Sequence, residues 1–508
     1  MDYIAEVIGR LGTGFVAVLH PYIILLMCAG MAIGLLAGAL PGVTMVMAIV
    51  LMMPFTYGME VVPAIMFLFS IYCGGVFGGA IIAIIFNIPG DPMNVATTFD
   101  GYPMAKKGKA GEALGLAICG ATIGGLFSVL LMTFASPLVA GFALEFSTVE
   151  YFAVILLGLA TVVLLAGKSI SSSFQSLFIG LFLGTVGVEG ITGTARFTFG
   201  SELLMGGIDW VVVLLGLFAV GEVFEMLATK GAYTAEVGVV KEKVRAKLPS
   251  LKMLYKLKWT FLRCTALGSF IGGVPGAGAT IASFVGYGIE KQVSKESEKF
   301  GTGIAEGVVA PEIAANASTG GAMIPMLTLG IPGSAATAIM LGAFLLHGIQ
   351  PGPKIFEKFP EMVYSIFAGA IVIQAILFVM GWFTINLWVK VMRIPEHIMG
   401  VFIIMFAVFG SYALKSNMSD VWIMSISGVI GYIMRVHNYP VSPLILGMIL
   451  GPLAEDNFMT SMYHYNNDLL IFFTRPISGV LMTLAIVLLV APFARKWWGK
   501  MRLKKAAA

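Results

Sequence analysis

Long apolar blocks recur from one end of this 508-residue chain to the other, and they decide what it can fold into. Val211–Leu227 and Ile477–Phe493 are two of them. A helix needs about 20 mostly apolar residues to cross a bilayer. A water-exposed surface for a soluble chain takes about 25% charged residues. Here only 11% are charged and 58% are hydrophobic. The expected fold class is an all-α polytopic membrane protein.

Hydropathy places apolar segments near 15–40, 42–56, 61–87, 111–135, 148–167, 172–190, 208–228, 259–289, 307–330, 334–348, 362–390, 396–414, 419–437, 440–454 and 476–494. Those at 259–289 and 307–330 read as broken. Those at 42–56, 334–348 and 440–454 are too short to cross a hydrocarbon core and suit re-entrant elements. The 62 glycines and 22 prolines fit this picture, because small residues let membrane helices approach closely and Pro-Gly steps interrupt them.

Charge placement orients the chain by the positive-inside rule. Nine Lys/Arg lie between Lys230 and Arg263, against Glu236 and Glu242. Six more lie between Arg495 and Lys505, and Lys106, Lys107 and Lys109 form a third cluster. The expected organisation is a first transmembrane half (1–228), a basic cytoplasmic loop (229–258), a second transmembrane half (259–494) and a basic cytoplasmic tail (495–508), with a periplasmic N-terminus.

The two halves carry the same motifs in the same order. GLLAGALPG at Gly34–Gly42 matches GSFIGGVPG at Gly268–Gly276. Gly78-Gly79-Ala80 then precedes Ile88-Pro89-Gly90, and Gly320-Gly321-Ala322 precedes Ile331-Pro332-Gly333. The charge flanking the two copies differs, so the halves are expected to be inverted repeats, an arrangement common in secondary transporters.

Each Pro-Gly step removes a backbone donor and breaks a helix. The half-helix that restarts presents free N–H groups and a dipole that favour an anion without any formal cation. The four steps are Pro41-Gly42, Pro89-Gly90, Pro275-Gly276 and Pro332-Gly333. Polar residues cluster beside them: Thr44, Asn87, Asp91, Asn94, Thr97, Thr280, Ser334 and Thr337, with Glu312, Asn316 and Thr319 just upstream of the last step. Hydroxyls and amides can bind carboxylate oxygens or Na⁺, and an intramembrane acid can take a cation or relay a proton. The same hydroxyls also commonly bond their own helix backbone.

Enzyme chemistry finds little support. The five histidines (His20, His347, His397, His437, His464) are dispersed, no P-loop is present, and Cys28, Cys73, Cys119 and Cys264 have no paired spacing. No metal site, organic cofactor or nucleic-acid partner is expected.

GGVPGAGATIAS at Gly272–Ser283, FGTG at Phe300–Gly303, EGVVAPE at Glu306–Glu312, GGAMIP at Gly320–Pro325 and LTLGIPGS at Leu327–Ser334 carry a family resemblance. Gly38–Gly42, Asn87–Asp91 and Asp100–Met104 add to it. Over roughly residues 15–495 the chain resembles the large membrane subunit of the tripartite tricarboxylate transporter family. The resemblance implies a permease in the bacterial inner membrane, working with a small membrane subunit and a periplasmic substrate-binding protein. It further implies uptake of a tricarboxylate or related carboxylate by symport with Na⁺ or H⁺. An ion channel and a scaffold subunit without its own transport path are the alternatives.

Overall fold

The computed structural model describes residues 2–40, 42–165, 169–228, 245–391 and 396–490. Pro41, residues 229–244 of the basic loop and the whole basic tail lie outside them. The chain is an all-α polytopic membrane protein. Its described strands are a single two-residue pair, Gly187–Val188 with Ala195–Arg196. Among the described residues, six helices are long and apolar enough to cross a membrane, including Pro21–Ala39, Val61–Phe86 and Pro360–Phe383.

Two compact units form, each drawing on both sequence halves: residues 1–141 with 211–432, and residues 142–210 with 433–508. In the smaller unit, helices Thr148–Leu165 and Val441–His464 pack around Val149, Ala153, Met462, Phe472 and Met482, and Ile170–Gly184 lies against Val441–His464, with Gly180 at the Leu444 backbone. Glu150 is buried there against Arg475 at 2.8 Å. Arg196 grips Glu455 through two bonds of 2.6 and 3.0 Å. The short apolar segment at 440–454 proves to be part of the 24-residue helix Val441–His464, which runs through Pro452.

The larger unit holds all four breaks. Eight helices frame them: α1 (Pro21–Ala39), α2 (Met45–Met52), α3 (Val61–Phe86), α4 (Val95–Met104), α5 (Lys258–Gly273), α6 (Gly278–Val293), α7 (Ala305–Leu329) and α8 (Ala335–Leu346). The apolar segment at 15–40 is itself split, with helix Asp2–Val18 ending before α1 begins at Pro21. Helix α7 corrects a second expectation. It is unbroken through Pro311 and Pro325, and its break comes only at Gly330. Burial from Gly307 to Met323 explains this, since surrounding helices support a backbone that prolines would weaken in water.

Helices α1 and α3 cross with backbones in contact, as do α5 and α7. A Cβ on Gly34 would lie 2.3 Å from the Ile71 carbonyl oxygen, and one on Gly38 would lie 2.5 Å from that of Gly75. On the other crossing, Gly268 meets the Ala314 oxygen and Gly272 the Ser318 oxygen, each at 2.3 Å. No side chain fits at these seams, which is why the G-x-x-x-G spacing occurs on α1 and on α5.

The described end of the basic loop lies beside helix Ala110–Ala143. The Lys247 amide donates to the Gly111 carbonyl at 2.7 Å. The basic clusters at 106–109 and 245–258 are therefore brought to the same end of this unit.

Candidate functional site

The breaks come in two kinds, and each kind occurs twice with the same local geometry. After α1, Leu40 ends the helix and Gly42 takes φ +81°. After α5, Val274 ends the helix and Gly276 takes φ +80°. After α3 the chain turns at Asn87 (φ 61°), and after α7 it turns at Gly330 (φ 72°). Asn and Gly are the residues that tolerate this left-handed helix end. Asn87 is thus a helix-ending residue, exposed and apart from the buried groups that follow it.

Within each half the breaks touch. A Cβ on Gly90 would stand 2.0 Å from the Gly38 oxygen, and one on Gly333 would stand 2.3 Å from the Gly272 oxygen. The Gly276 amide donates to the Gly333 carbonyl at 3.0 Å. Pro89 is half-buried, Pro332 is buried, and Pro275 is half-buried beside Gly276.

Several of the expected polar residues cap their own half-helices. Thr44 accepts the Met47 amide at 3.2 Å and so starts α2. The Asp91 amide donates to Asn94 Oδ1 at 3.3 Å, and Asn94 Nδ2 donates to the Val76 carbonyl on α3 at 3.1 Å. Ser334 and Thr337 cap α8 reciprocally: the Ser334 amide donates to Thr337 Oγ1 at 2.9 Å, and the Thr337 amide to Ser334 Oγ at 3.2 Å. Each such cap stabilises its helix by about 1 kcal/mol. Asn316 and Thr319 bond their own helix, at the Glu312 and Asn316 carbonyls.

The two halves differ in what sits at their half-helix N-termini. At α2, Asp91 Oδ2 accepts the Met45 amide at 3.1 Å, so the chain's own carboxylate occupies that position. At α6, the preceding residue Ala277 provides no side-chain cap. Gly276 and Thr280 there are only half-buried, and Ser334 stands close by, with Gly278 and Ser334 Cβ positions 3.7 Å apart. Ser334 occupies in its break the place that Asp91 occupies in the other. One break therefore carries a resident carboxyl group beside a helix N-terminus, and the other a neutral hydroxyl beside an uncapped one.

Two of the bonds that join the sequence halves involve Ser334 and Glu312. The Tyr72 and Ser334 hydroxyls share one at 3.3 Å, and the Thr97 hydroxyl donates to Glu312 Oε1 at 2.5 Å. Thr97 and Glu312 are buried. Tyr72 escapes a reading that follows the Pro-Gly steps, although its hydroxyl in a long apolar run is a legible signal. Asp100 is a further buried group. Its carboxylate accepts the amides of Gly301, Gly303 and Ile304 and the Tyr287 hydroxyl, at 2.7–3.0 Å. It holds the Phe300–Ile304 turn that leads into α7, which accounts for both the Asp100 and the Phe300–Gly303 motifs.

Among the described residues, no three His, Cys, Asp or Glu side chains gather to hold a metal ion. The arrangement suits a small anion at α6 together with a titratable or cation-binding acid at Glu312.

Comparison with known proteins adds three findings. The Tripartite tricarboxylate transporter TctA family model matches residues 24–446. A 52.8 kDa uncharacterized protein of Agrobacterium vitis, from the TAR-I ttuC' 3'region, is 37% identical over 96% of this chain and 96% of its own length. A second uncharacterized protein, from the TAR-II ttuC' 3'region of the same organism, is 38% identical over 44% of this chain and 92% of its own. No solved structure matches.

Proposed function

Because this chain belongs to the tripartite tricarboxylate transporter TctA family, we propose that it is the permease subunit of a binding-protein-dependent secondary transporter in the bacterial inner membrane. It takes up a tricarboxylate or related carboxylate in symport with Na⁺ or H⁺. A periplasmic binding protein delivers the substrate, and a small membrane subunit completes the complex. In this reading the two break pairs are inverted copies of one element that meet inside the membrane, an arrangement common in secondary transporters.

The observation that carries this reading is the contrast between α2 and α6. A substrate carboxylate takes at α6 the position that Asp91 takes at α2, held by the first-turn amides with Thr280 and Ser334. Coupling to a cation follows from charge. Each negative charge entering against 100 mV costs about 2.3 kcal/mol, and a trivalent anion about three times that.

The deciding experiment reconstitutes the chain with both partner subunits in proteoliposomes and measures uptake of a panel of di- and tricarboxylates. Saturable accumulation that needs the binding protein and collapses with the ion gradients is expected. Non-saturating flux down the gradient would instead make the chain a channel, and absence of all flux would make it a scaffold.

A further inference from the structure

Glu312 lies within α7, 1% exposed, and its two carboxyl oxygens differ. Oε1 accepts the Thr97 hydroxyl, whereas Oε2 is buried without a hydrogen-bond partner among the described residues. No cation pairs with it there.

The other ionisable groups on α7 and on the elements packed against it are engaged elsewhere or lie at surfaces. Asp91 faces Met45, and Asp100 holds the Phe300–Ile304 turn. Glu290 is clasped by Arg263 at 2.7 Å and by Thr260 at 2.8 Å. Tyr287 donates to Asp100, Tyr72 pairs with Ser334, and Glu306 accepts from Ser294. Glu112 lies 3.9 Å from Lys109, Lys106 covers the Tyr102 ring, Lys258 covers that of Tyr255, and Lys291 is exposed. Cys73 meets Gln374, Cys264 meets the Gly286 carbonyl, and Cys119 is buried. None of these groups neutralises Glu312.

A buried carboxylate with no counter-ion carries a desolvation penalty of several kcal/mol, and a bound proton removes it. We propose that Glu312 is the proton-carrying group of the transport cycle and that Thr97 positions it. The inference rests on the transport reading above and specifies its coupling ion as H⁺. Oε2 takes a proton from water on the outward side, forming an O–H bond as hydronium gives up its own. It releases that proton to water on the cytoplasmic side, with no change in oxidation state. The Thr97 hydroxyl keeps Oε1 as the accepting oxygen, which leaves Oε2 as the oxygen that is protonated. The bond also links α4, just past the Pro89-Gly90 break, to α7, which leads into the Pro332-Gly333 break. A rearrangement of either break would expose Oε2 to water.

Two readouts on the full chain test this. In infrared difference spectra taken along a pH titration, wild type should show the C=O band of a buried protonated carboxyl. Glu312→Gln should lose that band and Asp91→Asn should keep it. In proteoliposomes of the whole complex, with citrate as probe, Glu312→Gln should lose accumulation driven by an acid-outside gradient while still exchanging internal for external citrate. Retained exchange separates lost coupling from lost folding. Thr97→Val should shift the pH midpoint of the band, and Thr97→Ser should restore it. Identical carboxyl spectra for wild type and Glu312→Gln would overturn the proposal. So would accumulation by that variant at the wild-type level, or wild-type accumulation driven by Na⁺ alone. If wild type moves no citrate, the infrared comparison still decides the role of Glu312, and only the transport reading is put in question.

Discussion

The Asp91 carboxyl group and the Met45 backbone amide are joined at 3.1 Å across 46 residues of sequence, which places an acidic side chain at the start of α2. The equivalent group in the second half is the hydroxyl of Ser334. An acid that fills one helix N-terminus and leaves the other to a neutral neighbour makes the two copies chemically unequal, and several expectations depend on that inequality.

Asp91→Ala should destabilise the folded protein by about 1–3 kcal/mol, the cost of leaving a buried amide donor without its partner. A lower thermal midpoint in detergent would register it. Asp91→Asn, whose side-chain oxygen can still accept from Met45, should recover most of the loss.

Glycine substitutions should separate into two groups. Gly333→Ala pushes a methyl against the Gly272 backbone oxygen, so folded protein should fall before transport can be assayed. Gly42 and Gly276 take left-handed φ, and a Cβ on Gly42 would meet the Met226 side chain at an ordinary 3.6 Å. Their Ala variants should cost about 1–2 kcal/mol and remain monodisperse. Fluorescence-detected size exclusion across the set tests the division, and equal yields for all three would contradict it.

Thr280→Val should weaken substrate binding without affecting folding. The loss of one hydrogen bond is about 1 kcal/mol, or about a fivefold rise in KM. Ser334→Ala should do this and also lower the thermal midpoint, because Ser334 caps α8. An unchanged KM for Thr280→Val would remove it from the site.

Asp100→Asn should release the Phe300–Ile304 turn. Hydrogen exchange at the Gly301, Gly303 and Ile304 amides should accelerate, while exchange in the core of α3 stays slow. Protection unchanged from wild type would mean the carboxylate is not what holds the turn.

Lys252→Cys, in a background free of the native cysteines, should react with impermeant thiol reagents only from the cytoplasmic side. A cysteine placed early in helix Asp2–Val18 should react from the periplasm. Labelling of position 252 from the periplasm would reverse the assigned orientation and remove the charge argument for inverted halves.

The helix breaks were legible in the sequence because Pro-Gly steps act locally: φ restriction, a missing donor and glycine's freedom need no tertiary context. The partners of the polar residues were not legible. Nothing local distinguishes an Asp91 that would bind a ligand from one that caps Met45, since Met45 reaches it only through the packing of α1 on α3. Likewise, Pro311 and Pro325 favour a break in α7, yet among its neighbouring helices α7 stays continuous. Pro452 signals the same in Val441–His464, which also continues. Thr97 and Glu312 were both conspicuous as polar residues near breaks. Their pairing across 215 residues was not, because no periodicity relates them.

The glycine seams on α1 and α5 bear on how such a molecule can move. Helix α1 meets α3, and α5 meets α7, backbone to backbone at points where not even one methyl fits. Each crossed pair is therefore packed closely enough to act as one strut. Motion that carries a solute must be concentrated at the joints between struts, where Gly42, Gly276, Asn87 and Gly330 already hold the chain in conformations most residues avoid.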